Sequence, residues 1–161
     1  MDTTGKFANA AARVMATELV YRSCLTLDAL DFPAYLALCD TRYHYLITAY
    51  SPEIRKEMTW LEHNMAGMQL LFKNLPKHNS DHARLSRHAC VYTIDFTDEL
   101  NANVVSGLQV YRTTLDGGAT ELFAVGKMYD KVTLGGDVPL LVERHIKLDT
   151  RMLGIGFHIP F

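Results

Sequence analysis

Across residues 85–149 the chain alternates apolar and polar residues with a period of two, and few folds accept that pattern. Between positions 102 and 114, Val104, Leu108 and Val110 interleave with Asn103, Gln109 and Thr113. Between positions 120 and 132, Leu122 and Ala124 oppose Glu121, Lys127 and Lys131. The breaks, Asp116-Gly117-Gly118 and Gly135-Gly136-Asp137, supply the glycines that tight hairpin turns need. The pattern predicts four consecutive antiparallel strands, curved, with one dry face. A sheet with one dry face must be covered.

The first half of the chain supplies the cover. A helix is expected over residues 9–30, opened by Ala10, Ala11 and Ala12, with Val20, Cys24, Leu27 and Leu30 in one apolar stripe. Asp31 is placed to cap a short second helix with Pro33 in its first turn, turning Phe32, Leu36 and Cys39 inward. Two short strands follow, residues 43–49 with Tyr43, Tyr45 and Ile47 on one face, and residues 54–60 with Met58 and Trp60. Asn64 can cap a third helix carrying Met68, Leu71, Phe72 and Leu75, which Pro76 ends. Residues 1–8 read as a mobile arm. Helices early and strands late predict an α+β domain spanning residues 1–161, a cone in which N-terminal helices cover a curved antiparallel sheet.

Composition narrows the function classes. A net charge of −2 argues against a nucleic-acid partner, which favours a basic excess. No apolar run is long enough to span a bilayer, and the opening residues lack a signal-peptide pattern. Cys24, Cys39 and Cys90 stand far apart inside apolar patterns, as expected of small core residues in a reducing cytoplasm.

Few residues suggest chemistry. Pairs of Cys or His at metal-binding spacing are missing apart from His78 and His82, which sit in a polar stretch with Asn79, Ser80 and Asp81 and read as solvated loop. His88 shares its alternation with Cys90, Tyr92, Ile94 and Phe96, so it is expected to point into the cone. A histidine there could act as a general base, with Asp31, Asp40 or Tyr43 at the cone mouth as its orienting partner. A core histidine bonded to backbone is the plainer reading. On the opposite alternation Tyr111, Phe123 and Tyr129 share a wet face with Gln109, Glu121 and Lys127. Three aromatics on a wet face suggest contact with another subunit. The aromatic tail, residues 154–161 with Phe157 and Phe161, is expected to pack on a partner in the same way.

These motifs resemble a family. Tyr21-Arg22, Leu27-Asp28, Phe32, Tyr35-Leu36 and Leu38 are similar to the N-terminal signature of the small (β) subunits of Rieske-type ring-hydroxylating oxygenases, with tyrosine in place of a tryptophan. Arg42-Tyr43-His44-Tyr45, Arg87-His88 and Glu143-Arg144-His145 match its later strands. The resemblance implies a cystatin-like or nuclear-transport-factor-2-like (NTF2-like) cone. It also implies a subunit with no catalytic residues, metal or cofactor of its own. The [2Fe–2S] Rieske cluster and mononuclear Fe(II) would lie in a large (α) subunit, in an α3β3 hydroxylase fed from NADH through a reductase and often a ferredoxin. In its middle segment the chain is closer to members that oxidise a C1 sulfonate than to those acting on aromatic rings. A free-standing lyase or isomerase of the same fold, with His88 as base, and a self-associating binding module are the competing expectations.

Overall fold

The computed structural model describes residues 3–154 and 159–161, with residues 3–8 described by backbone alone. Three helices and six strands follow in order: α1 (Thr3–Asp28), α2 (Phe32–Ala37), β1 (Cys39–Ser51), β2 (Lys56–Asn64), α3 (Met65–His78), β3 (Arg84–Phe96), β4 (Asn101–Thr113), β5 (Thr120–Thr133) and β6 (Leu140–Leu148). The domain is α+β, as expected. Helix α1 starts at Thr3 rather than Asn9, so part of the expected arm is helical. None of the described helices is long and apolar enough to cross a membrane.

Helix α1 also ends earlier than its stripe predicts. Leu30 adopts φ 56°, and the bonds Leu30 N–H to Leu27 O and Asp31 N–H to Thr26 O close a left-handed cap. Such caps favour glycine, because a Cβ crowds the carbonyl at positive φ. Val20, Cys24 and Leu27 are buried, whereas Leu30 is turned out. Asp31 then accepts from Ala34 N–H and starts α2, and Asn64 accepts from Gly67 N–H and starts α3. Pro76 falls within the last turn of α3, which continues to His78.

The sheet has the order β2-β1-β6-β5-β4-β3. Strands β3 to β6 form the expected antiparallel meander. β1 runs parallel to β6, so the sheet is mixed rather than wholly antiparallel. Nothing in the local alternation of β1 fixes that direction, which depends on where the chain returns. Helix α1 lies against β3 and α3 against β1 and β2. Between helices and sheet sits the core, with Leu19, Leu27, Tyr35, Tyr45, Met128 and Ile146 among its buried members.

Among the bulges of the sheet, two reset the alternation at residues singled out above. In β3, Val91 pairs with Ser106 and Thr93 with Val105, so Tyr92 is an extra residue. In β5, Ala124 pairs with Val110 and Leu122 with Tyr111, so Phe123 is extra. An extra residue reverses the faces on one side of it. Each bulge moves a residue that the sequence pattern assigns elsewhere.

Candidate functional site

The centre of the cone is filled by a polar network. Arg144 of β6 is fully buried, and its Nε and Nη2 each donate to Asp130 of β5 at 2.8 Å. Its Nη1 donates to Ser23 Oγ of α1 at 2.9 Å, so every guanidinium nitrogen has a partner. Burial works against the charge on Arg144, but Asp130 outweighs it and holds the pKa well above the ordinary arginine value. Around this pair, the Tyr35 and Tyr43 hydroxyls meet at 2.6 Å, and burial raises both phenols. Burial likewise pushes the Cys39 thiol up to about 12. These phenols and this thiol stay protonated at neutral pH, and both Asp130 oxygens are taken by Arg144. The interior is built as packing, with no group among these free to accept a proton.

A second buried arginine ties the meander to the cover. Arg87 of β3 donates from Nη1 to Asp28 at 2.7 Å and from Nη2 to the Pro160 carbonyl at 2.5 Å. Asp28 also accepts from the Arg87 backbone N–H. Residues 159–161 are thereby held inside the chain's own core. Tyr45 donates to the Phe161 backbone oxygen and accepts from Phe161 N–H at 2.8 Å, and the Phe161 ring meets Phe123 at 6.4 Å.

The residues singled out for catalysis do not converge. His88 lies on the outer face of β3, exposed, with its Nε2 3.1 Å from Ser86 Oγ and its ring edge-on to Tyr111 at 5.1 Å. The bulge at Tyr92 is the reason. Ile94 and Phe96 beyond it face inward, but before it Arg87, Ala89 and Val91 face inward and His88 and Cys90 face out. Asp31 is spent as a helix cap. Asp40 holds the exposed Arg42, which keeps its carboxyl below the usual range. Tyr43 is buried against Tyr35. Cys90 is likewise exposed rather than core, while Cys24 and Cys39 are buried. Among the described residues, no group of three His, Cys, Asp or Glu side chains is placed to hold a metal ion. Neither a Rieske cluster nor a mononuclear iron therefore finds a donor set among them.

The residues singled out for a partner divide. Tyr111 and Tyr129 are on the outer sheet face, Tyr129 with Lys147 Nζ 5.0 Å from its ring centroid. Phe123, the bulge residue, packs against the core instead, and Phe161 is buried in its own chain. Phe157 lies outside the described residues. Sequence reasoning passed over Leu122 and Tyr92, both exposed on the outer face by the two bulges. Tyr92 lies over Gly107, where a Cβ would collide with the tyrosine hydroxyl. It also passed over Arg144 and Asp130 as partners; inward alternation of charged residues on neighbouring strands is the signal that pairs them.

No protein-family model matches the chain. It is 38% identical over 149 residues to the methanesulfonate monooxygenase hydroxylase subunit beta of Methylosulfonomonas methylovora, covering 88% of this chain and 82% of that one. It is 26% identical over 147 residues to the 2-aminobenzenesulfonate 2,3-dioxygenase subunit beta of an Alcaligenes species, covering 91% and 97%. Its fold superposes with a TM-score of 0.83 on the β subunit of a proposed aromatic-ring-hydroxylating dioxygenase from Novosphingobium aromaticivorans, at 16% identity and with 95% and 99% of the two chains covered. With sequence, fold and a packed interior in agreement, the chain belongs to the small (β) subunits of the Rieske-type ring-hydroxylating oxygenases.

Proposed function

We propose that this chain is the accessory, non-catalytic subunit of a Rieske non-heme iron oxygenase, and that it supports assembly of an α3β3 hydroxylase. One contrast carries the reading: a cone interior sealed by Arg144–Asp130, beside an outer sheet face that exposes Tyr92, Leu122 and Tyr129. Chemistry needs a reachable group. Assembly needs apolar surface rich in aromatics. In this reading the large subunit carries the [2Fe–2S] cluster and the mononuclear Fe(II), and a reductase, with or without a ferredoxin, delivers electrons from NADH. The relative from Methylosulfonomonas supports methanesulfonate as substrate of the holoenzyme, oxidised with O2 to formaldehyde and sulfite.

Co-expression with a candidate large subunit tests this directly. The expected product is a brown complex with paired subunits, beside a colourless small subunit purified alone. Tyr129→Glu, on the exposed face, should abolish co-purification while leaving the small subunit folded. A colourless chain that ignores every candidate partner would overturn the reading. Methanesulfonate-dependent NADH consumption by the reconstituted complex tests the substrate separately.

A further inference from the structure

Helix α1 carries a second apolar stripe on the side away from the core. Leu19, Val20 and Leu27 are buried, whereas Val14, Tyr21 and Leu25 are 57%, 40% and 67% exposed. The exposed three fall at i, i+7 and i+11, within about 40° of one another around the helix axis. Ala11 and Ala29 continue the stripe, both exposed, and Ala29 keeps helical register by donating its N–H to the Leu25 carbonyl. A surface helix normally keeps one side polar, and an apolar stripe on each side marks a helix covered on both.

Two charges flank the stripe, Glu18 and Arg22, both exposed. They stand one turn apart, yet neither has an ion-pair or hydrogen-bond partner among the described residues. Their placement is symmetric. Glu18 and Arg22 are centred on Val20, as are Ala11 and Ala29, and Val14 and Leu25 are centred midway between Leu19 and Val20. The two centres differ by half a residue, about 0.8 Å along the axis. An antiparallel helix laid on this face, with a two-fold axis at that level, sets Val14 against Leu25 and Glu18 against Arg22, each contact made twice. Tyr21 lies beside the axis and meets its own copy. A parallel pair would instead set Glu18 level with Glu18 and Arg22 level with Arg22.

We propose that the outer face of α1 is a self-association surface, on which a second copy of this chain docks antiparallel about a two-fold axis near Val20. The charges choose the occupant. A stripe with a carboxylate and a guanidinium equidistant from its centre is complementary to itself, whereas a wholly acidic or wholly basic partner would set one of the two against its like. The surface lies on the helical layer, away from Tyr111 and Tyr129 on the outer sheet face, so it does not depend on the assembly reading. A two-fold contact cannot close a ring of three, so within α3β3 complexes it would join one complex to another. A single helix pair falls below the about 1,200 Å² of stable interfaces, and a dissociation constant of roughly 100 μM is expected.

Sedimentation equilibrium of the full chain, from about 10 μM to about 1 mM, tests this. A monomer–dimer equilibrium is expected. Glu18→Arg and Arg22→Glu, at exposed positions, should each weaken it by at least about tenfold with the fold intact, and the two together should restore it. Tyr129→Glu should leave it unchanged. Cross-linking fixes the register, in a Cys90→Ser background that removes the exposed thiol. Mixed Val14→Cys and Leu25→Cys chains should form a disulfide with each other and not with their own kind, because like positions would lie about 16 Å apart. Monomers throughout the range would overturn the proposal. So would a dimer indifferent to both charge reversals, or one that the double exchange fails to restore. Loss of co-purification with a large subunit in Glu18→Arg, where the parent chain forms no dimer, would assign this face to the large subunit instead.

Discussion

Arg144 and Arg87 are both buried, yet one is finished and the other is not. Arg144 meets Asp130 with two parallel bonds and Ser23 with a third, all inside the cone. Arg87 meets Asp28 and the Pro160 carbonyl, while its buried Nε has no hydrogen bond among the described residues. Asp130 is fully buried, whereas the Asp28 side chain keeps 23% of its surface. A charge pair sealed from water depends wholly on its partner, because removing one member strands the other. A pair whose carboxylate is partly exposed, as Asp28 is, can draw on water when that partner is altered. The exposure of the carboxylate, rather than that of the arginine, separates the two pairs.

The largest effect should therefore come from Asp130→Asn. It strands the Arg144 guanidinium and should cost about 3–5 kcal/mol, lowering Tm by on the order of 10 °C for a chain of this size. Urea denaturation of the purified chain measures it. Phe161→Ala comes next, at about 3 kcal/mol for loss of a buried ring. It should also speed amide exchange at Arg87, because Pro160 and Phe161 seat together. Asp28→Asn should cost less, about 2 kcal/mol, since water can reach the partly exposed side chain. Equal losses for Asp28→Asn and Asp130→Asn would break the comparison. They would mean that the exposure of Asp28 does nothing for Arg87.

A substitution just after α1 should act in the opposite direction. Leu30→Gly removes the left-handed strain at the end of α1 and exposes little new core, so a gain of about 0.5–1 kcal/mol is expected. The denaturation midpoint in urea should rise without a change in slope. A loss instead would show that the Leu30 side chain stabilises the fold by more than its backbone strain costs.

Most elements were legible because their signals are local. Asp31 and Asn64 cap helices as their spacing predicts, and Gly117 and Gly118 take positive φ at the predicted turn. The family motifs were legible too, and the structure shows what several of them do. Leu27 is core, Asp28 anchors Arg87, Tyr35 meets Tyr43, and Arg144 plugs the cone. What the alternation could not reveal is where it slips. One extra residue at Tyr92 sends His88 outward and Arg87 inward, and one at Phe123 exchanges the faces of Leu122 and Phe123. A bulge leaves no mark in a period-two pattern until the partner strand is known. The parallel pairing of β1 with β6 is hidden for the same reason, because it joins residues nearly a hundred positions apart, such as Ile47 and Ile146. Both readings of His88, as a base inside the cone and as a core histidine, assume an inward register, and the bulge at Tyr92 turns the residue outward instead.

The smallest test moves one residue along β6. His145 alternates away from Arg144 to the outer face, where its Nε2 is 2.8 Å from Thr48 Oγ1. Burial lowers its pKa below the ordinary 6.5, Lys147 and His44 add to that, and Glu57 and Glu143 oppose it. A histidine with a depressed pKa binds its proton more weakly folded than unfolded. Between the two values the unfolded chain holds more protons, so stability rises with pH. The contribution is fully present above about pH 6.5 and is lost as pH falls through the folded value. Because the ring is only partly shielded, the loss should stay below about 1 kcal/mol. An imidazole NMR titration should give a midpoint below 6.5, and His145→Gln should flatten that part of the stability profile. Arg144, held far above this range by Asp130, should contribute no slope there. If the slope survives His145→Gln, another histidine carries it, and the outer face of β6 responds to pH no more than the buried pair beside it.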